Sequence, residues 1–228
     1  AGVDMHALKD IVMAGGARAL KIKIGAADIQ TDLLRVDAVR AAVGSDVEIL
    51  VDVNNAYDRI TATRMARALD ERNIYWLEEP LSPDDLEGAG ELCRQTTTPI
   101  ANGENEYTLS GFRDLMDAGA ADVINADAQI LGGITEWIKC AHYAQARHVV
   151  VAPHGDQEIH THLVCAVPNG LIVEYYDNAI NRLKDVMFDR RLDLNPDGTI
   201  MPFDGPGLGV ELMENALARY RVAHSEIK

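Results

Sequence analysis

Seven short apolar runs, separated by longer stretches, limit how this chain can fold more than any other feature. The runs cover residues 19–24, 48–53, 74–77, 100–102, 123–125, 149–152 and 171–173. Between several of them lie segments with apolar residues at helical spacing, at 29–43, 60–71, 109–118 and 134–147. Strands that alternate with helices imply a parallel sheet joined by helical crossovers. A (β/α)8 barrel typically needs roughly 250 residues, so 228 residues suffice for most of one, an α/β, TIM-like fold. The chain opens in a helix-like segment, 5–14, with no strand before it. The seven runs are therefore read as strands two to eight, with the first strand expected upstream of residue 1. The barrel is expected over 1–190. Further on come a turn at Asn195-Pro-Asp-Gly198, a loop rich in Pro and Gly at 202–209 and a short helix at 211–219, so 191–228 is read as a separate C-terminal segment.

Composition narrows the function classes. With 47% hydrophobic residues the chain can bury a sizeable core. A formal charge of −15 argues against nucleic acid, whose phosphates attract Lys and Arg. The three cysteines, Cys93, Cys140 and Cys165, are odd in number and form no CxxC, which fits reduced thiols in the cytoplasm. No apolar run approaches the roughly 20 residues of a membrane span, and the opening AGVDMHALKD has no apolar signal-peptide core.

Polar groups cluster where the strands end, which is where barrel enzymes carry their chemistry. Lys21 and Lys23 lie two apart on one strand and so share a face. Both point inward, where apolar residues are usual, and their mutual repulsion is expected to lower at least one pKa and favour a neutral base. The second run ends in Asp52 with Asn54 on the same face, the third in Glu78-Glu79-Pro80 and the fourth in Asn102-Gly-Glu104. A single acid at a strand end is commonly a cap. Three on successive strands repel one another unless a cation lies among them, and oxygen-only ligands suit Mg²⁺, with Mn²⁺ the alternative. The remaining strands supply Asp127, His154 and Glu174, and a histidine oriented by a carboxylate is an acid/base pair. His6, His142, His148, His160, His162 and His224 read as structural.

In residue types, order and intervals this set resembles the mandelate racemase subgroup of the enolase superfamily. From Lys21 the steps are 31 to Asp52, 26 to Glu78, 26 to Glu104, 23 to Asp127, 27 to His154 and 20 to Glu174. Trp76-Leu-Glu-Glu-Pro80, Gly103-Glu-Asn105 and Leu131-Gly-Gly-Ile134 are similar to the family's local strings. The resemblance covers nearly the whole chain. It implies that Asp52, Glu78 and Glu104 bind Mg²⁺, and the spacing to Glu104 selects Glu78 over Glu79. It implies that Lys23 is the base on one face of a carboxylate substrate and that His154, oriented by Asp127, serves the other. Lys21 would neutralise the substrate carboxylate and depress the Lys23 pKa, Glu174 would hydrogen-bond a carboxylate oxygen of the intermediate, and Asn54 is taken as a substrate contact. The family also implies an α+β capping domain ahead of the barrel, a C-terminal segment that packs back toward it, and homo-oligomers, octamers or dimers.

The implied reaction is α-proton abstraction to an enediolate. If a β-hydroxyl then leaves, with His154 as acid, an aldonate or aldarate becomes a 2-keto-3-deoxy acid. If a proton returns on the other face, a 2-hydroxy acid is racemised. Dehydration is the favoured expectation. Asp156, Gln157 and Glu158 either contact sugar hydroxyls or form a solvated turn with caps. A barrel that binds without catalysing is the alternative of another class. A Schiff-base aldolase leaves the three carboxylates unused, and a glycosidase leaves the paired lysines unexplained. Gly132-Gly133 reads as a tight turn rather than a phosphate site.

Overall fold

The structure, a computed structural model, describes residues 16–25, 28–176 and 184–223. The helix expected at 5–14 lies outside the described residues. Six parallel strands pair in chain order: β1 (Ala19–Lys23), β2 (Glu48–Asp52), β3 (Trp76–Glu78), β4 (Ile100–Asn102), β5 (Val123–Ile124) and β6 (Val150–Val151). Helices follow them: α1 (Ile29–Val43), α2 (Arg59–Asp70), α3 (Leu86–Gln95), α4 (Thr108–Asp117), α5 (Ala128–Leu131), α6 (Ile134–Ala146) and α7 (Gln157–Cys165). Consecutive parallel strands, each followed by a helix, are the staves of a TIM-like barrel.

The first three helices start where a side chain satisfies an orphan amide. Asp28 accepts from Thr31 N, Asp58 from Thr61 N and Asp85 from Gly88 N. Alternation along each strand makes two apolar layers. Ile49, Val51, Leu77, Ile100, Ile124 and Val151 face the helices and join the larger core. Leu50, Trp76, Ala101, Val123 and Ala152 face the other way and form a second, smaller cluster inside the wall. This inner layer is the floor on which the ionisable residues stand.

One strand expectation is corrected. The run 171–173 is not a strand; among the described residues the sheet continues past β6 as a single parallel bridge, Val151 to Gly170. Val151 N donates to Asn169 O and Leu171 N to Val151 O. Beyond this bridge Glu174 reaches Lys21 on β1, at 2.6 Å.

Beyond residue 184 lie α8 (Lys184–Met187) and α9 (Glu214–Tyr220), the latter starting three residues after the expected 211. The Asn195 turn closes as expected, with Gly198 N donating to Asn195 O. An antiparallel bridge joins Phe188 to Leu212, and His162 Nε2 lies 3.0 Å from Leu208 O, tying this segment to α7. Among the described residues no helix is long and apolar enough to cross a membrane.

Candidate active site

Strand register assembles the first part of the site. Lys23 lies opposite Asp52, and Asp52 opposite Glu78. Counting back by twos, Lys21, Lys23, Asp52 and Glu78 share the inward parity of Leu50 and Trp76. Glu104 arrives from β4 through Gly103, whose φ is +128°; a Cβ there would meet Phe112 Cε1 at 2.8 Å. Only glycine allows that turn. The result is three buried carboxylates, Asp52, Glu78 and Glu104, each offering an oxygen within 4.8 Å of the others.

The partners of these oxygens are unequal. Glu78 accepts from Trp76 Nε1 at 2.9 Å and from Lys21 Nζ at 2.7 Å. Asp52 accepts from Asn54 N at 2.9 Å and pairs with Lys23. Glu104 Oε2 is buried and makes no hydrogen bond, a costly state for a carboxylate oxygen. Burial pushes the Glu104 carboxyl up to about 7; His154 opposes this, while Glu79, Glu78 and Asp52 add to it. Burial raises Glu78 too, against the pull of Lys21 and with Asp52 reinforcing it. Closely spaced carboxylates with an unsatisfied buried oxygen form an all-oxygen donor set that fits a hard divalent cation.

The lysines differ in setting. The Lys21 side chain is 16% exposed and lies 2.7 Å from Glu78, 2.6 Å from Glu174 and 3.7 Å from Asp52. Burial favours its neutral form, but Glu78 and then Glu174 outweigh that and hold its pKa well above the usual lysine value. Mutual depression of two ammonium groups therefore does not describe Lys21 here. Lys23, 57% exposed, reaches the mouth and pairs with Asp52.

Across the mouth, His154 Nδ1 lies 2.9 Å from Asp127 Oδ2 and its Nε2 3.8 Å from Glu104 Oε2. Burial opposes the imidazolium, yet the Asp127 bond and the charges of Glu104 and Glu174 raise the His154 pKa. Asp127 is held below the ordinary value: burial works the other way, but His154 and the Gln129 amide favour the carboxylate. Gly155, at φ +87°, leaves room for this pair, since a Cβ there would lie 3.0 Å from Asp127 Oδ2. Its amide donates to Glu174 at 2.9 Å. Burial raises Glu174, but Lys21 and this amide bring it below the usual range, so in this arrangement Glu174 is an acceptor. Asn54, exposed and at φ +46°, reaches toward Glu104 Oε1 at 3.5 Å.

All the expected site residues thus meet at one barrel mouth. His160 is fully buried and accepts from Ala128 N at 3.0 Å, so its Nε2 is unprotonated and the residue is structural. His142 and His148 are exposed, and His162 bonds backbone; His6 and His224 lie outside the described residues. Gly132 and Gly133, at φ +121° and +98°, make the expected turn. The solvated-turn alternative for 156–158 does not hold. Gln157 and Glu158 form the buried first turn of α7, and Gln157 Nε2 reaches Tyr176 O at 3.3 Å. Sequence reasoning missed the part played by Glu79, whose buried carboxylate holds Asn55 and Asn105.

Residues 4–216 match the family described as "Enolase C-terminal domain-like". The L-talarate/galactarate dehydratase of Salmonella typhimurium is 34% identical over 211 residues, covering 92% of this chain and 52% of that protein. An L-talarate dehydratase from Polaromonas sp. JS666, solved in complex with Mg and L-glucarate, superposes with a TM-score of 0.86 at 35% identity, over 95% of this chain and 60% of that one. A mandelate racemase/muconate lactonizing enzyme from the same organism gives 0.87 and 35%, over 95% and 59%. The chain therefore spans between half and three fifths of the length of these relatives. With its parallel sheet, its three carboxylates and these matches, the chain belongs to the enolase superfamily, as a C-terminal, TIM-barrel-like domain of the mandelate racemase subgroup.

Proposed function

We propose that the protein bearing this chain is a Mg²⁺-dependent enzyme that removes the α-proton of a hydroxy-carboxylate, most simply an acid sugar dehydrated to a 2-keto-3-deoxy acid. The observation that carries this reading is the convergence of Asp52, Glu78 and Glu104 between a lysine pair and a His–Asp pair. The relatives named as talarate and galactarate dehydratases support the acid-sugar class. The three carboxylates are the residues that would hold Mg²⁺, or Mn²⁺ in its place. Bound there, the ion would supply a Lewis acid that favours negative charge on the substrate carboxylate.

The chain's own residues do the rest. Lys23, on an exposed side chain, leaves Asp52 and accepts the α-proton at Nζ. Lys21 balances the substrate carboxylate and the charge that builds on it as the proton leaves. Glu174, once substrate draws Lys21 away and the carboxyl takes up a proton, donates a hydrogen bond to a carboxylate oxygen of the intermediate, and Asn54, at the rim, contacts the substrate. His154, in imidazolium form, gives the Nε2 proton to the departing β-hydroxyl, while Asp127 on Nδ1 fixes the ring. Because Lys23 and His154 come from separate strands on either side of the carboxylates, proton return on the opposite face is the second reading, a racemase or epimerase.

The division at 190/191 enters this proposal too. Residues 191–228 are read as a segment that packs toward a capping domain, which the exposure of Met201, Leu212, Tyr220 and Val222 supports. We read the protein as a cytoplasmic homo-oligomer, an octamer or a dimer.

The test is proton NMR in D₂O with Mg²⁺ against aldonic acids, aldaric acids and mandelate. Loss of the α-proton signal with a 2-keto-3-deoxy product supports dehydration. Exchange with inversion and no dehydration selects the racemase reading. No exchange with any member, at saturating Mg²⁺, leaves either a substrate outside this panel or the non-catalytic binding barrel as the better account.

A further inference from the structure

Three loops follow β2, β3 and β4, and one side chain binds them together. Glu79 follows Glu78 directly, is 2% exposed and sits at φ +43°, a left-handed conformation that few non-glycine residues adopt. That turn sends its carboxylate away from its neighbour. Oε2 accepts from Asn55 Nδ2 at 3.0 Å, and Oε1 from Asn105 Nδ2 at 2.7 Å. Asn55 lies three residues after Asp52, and Asn105 one after Glu104. The main chain repeats the pattern: Asn55 N donates to Glu79 O at 2.8 Å, and Glu79 N to Ala101 O at 2.9 Å. Asn55 itself is at φ +62°. Two strained residues and a buried carboxylate persist only where their surroundings favour them, and here the return is a fixed relation among three loops.

We propose that Glu79 is a positioning residue for the cation site: it binds no ion itself, but through Asn55 and Asn105 it holds the Asp52 and Glu104 loops at the spacing that a divalent ion needs. This rests on the metal reading above and deepens it. Groups that hold metal ligands in place typically govern metal affinity by about 10–100-fold. The bonds join groups 24 and 26 residues apart, so the clasp acts between strands and not within one turn.

The experiment measures Mg²⁺ affinity by calorimetry, and Mn²⁺ by its paramagnetic resonance spectrum, on the full-length protein without substrate. The variants are Glu79→Gln, Asn105→Asp and the reversed pair E79Q/N105D. Glu79→Gln keeps the shape but replaces the carboxylate acceptor with a neutral amide, so the charge-assisted clasp bonds give way to weaker amide–amide ones. The reversed pair restores a charge-assisted bond with the polarity exchanged, and the net charge too. The expected result is a 10–100-fold weaker Mg²⁺ dissociation constant in each single variant, recovery of most of it in the reversed pair, and melting in EDTA close to the unsubstituted protein. Unchanged metal affinity in Glu79→Gln would overturn the proposal. So would a parallel loss of melting temperature and affinity that the reversed pair does not restore, which marks Glu79 as merely structural. If Glu79→Gln does not fold, Asn55→Ser decides: a several-fold weaker ion supports the clasp, an unaltered one refutes it. An unsubstituted protein that takes up no divalent ion overturns the metal reading itself and this inference with it, whereas inactivity with normal metal binding counts against the proposed reaction alone.

Discussion

The two ends of the barrel wall use the same residue types for different ends. At the base, where strands begin, several polar side chains bond to backbone and to short hydroxyls nearby, beside ion pairs such as Arg72 with Asp37 and Arg147 with Asp117. Asp70, closing α2, accepts from Thr96 Oγ1, Thr97 N, and both Thr98 N and Thr98 Oγ1. Arg40 donates to the carbonyls of Gly44, Val47 and Asn73, and Asp122 accepts from Ile100 N. At the mouth the ionisable groups bond chiefly to one another: Lys21 to Glu78 and Glu174, Lys23 to Asp52, His154 to Asp127. A charge bonded to backbone fixes the path of the chain. A charge bonded to another charge can be given a new partner, and substrate and ion can supply one. That is why acids at the base read as stability and acids at the mouth as chemistry.

The comparison breaks most visibly if mouth residues prove to be scaffold. Lys23→Ala and His154→Asn should each lower kcat by about 10²–10⁴-fold, the usual scale of a general acid or base. Melting in EDTA should change little, since Lys23 is 57% exposed and His154 only partly buried. Steady-state kinetics beside thermal melts checks this. A variant that melts much lower yet keeps its turnover would place that residue with the base of the barrel.

Crowding of like charges at the mouth has a pH signature. Glu104 titrates near 7 in the fold, against an ordinary value of 4.5. A carboxyl raised in the folded state binds more protons there than in the unfolded chain. Stability from this group is therefore full below about pH 4.5 and lost as pH rises toward 7, and Glu78, also raised, adds in the same direction. Metal-free protein should melt lower at pH 8 than at pH 5.5. Mg²⁺ should restore the melting temperature at pH 8, and Glu104→Gln should flatten the metal-free profile. A metal-free protein that is more stable at pH 8 would contradict the unsatisfied carboxylate.

At the base, Asp70→Ala should leave kinetics unchanged and cost about 1 kcal/mol, because it strands donors on three consecutive threonines. For a chain of this size that is about 2–4 °C. A loss of turnover at an unchanged melting temperature would show that the two ends are coupled.

The same division governs what could be read from sequence. Mouth residues were legible because period two on a strand settles which face a side chain takes: Lys21 and Lys23 together, Asp52 opposite Glu78. Glu104 was legible through its spacing, although the device that aims it, Gly103 at φ +128°, is a matter of backbone angle. Glu79 was visible as a residue but not as a clasp, since its partners sit on two other loops and its orientation follows from a left-handed φ. The run 171–173 had strand composition, but it pairs with β6 only at its start, through Leu171 N to Val151 O, and whether a run finds a partner strand is a tertiary matter that local pattern does not carry. Gln157 and Glu158 misled in the other direction, because polar residues in a helix's first turn look like a loop until their burial is known.

The smallest effect tests whether every charge near the mouth belongs to the chemistry. Helix α4 begins after Tyr107, which offers no side-chain cap. Glu136 of α6 supplies one from the neighbouring helix, as its Oε1 accepts from Leu109 N at 2.9 Å and its Oε2 from Lys139 at 2.8 Å. These two bonds are not equivalent. The first satisfies an orphan amide in a helix's opening turn. The second is an exposed pair three residues apart, of a kind that contributes little. Glu136→Ala should therefore lower the melting temperature by about 2–4 °C, while Lys139→Ala should stay within about 1 °C and neither should alter kcat. If Lys139→Ala proved the more damaging, the cap would depend on its counter-ion, and the rule that backbone-bonded charges hold the scaffold would have to include the pairs that orient them.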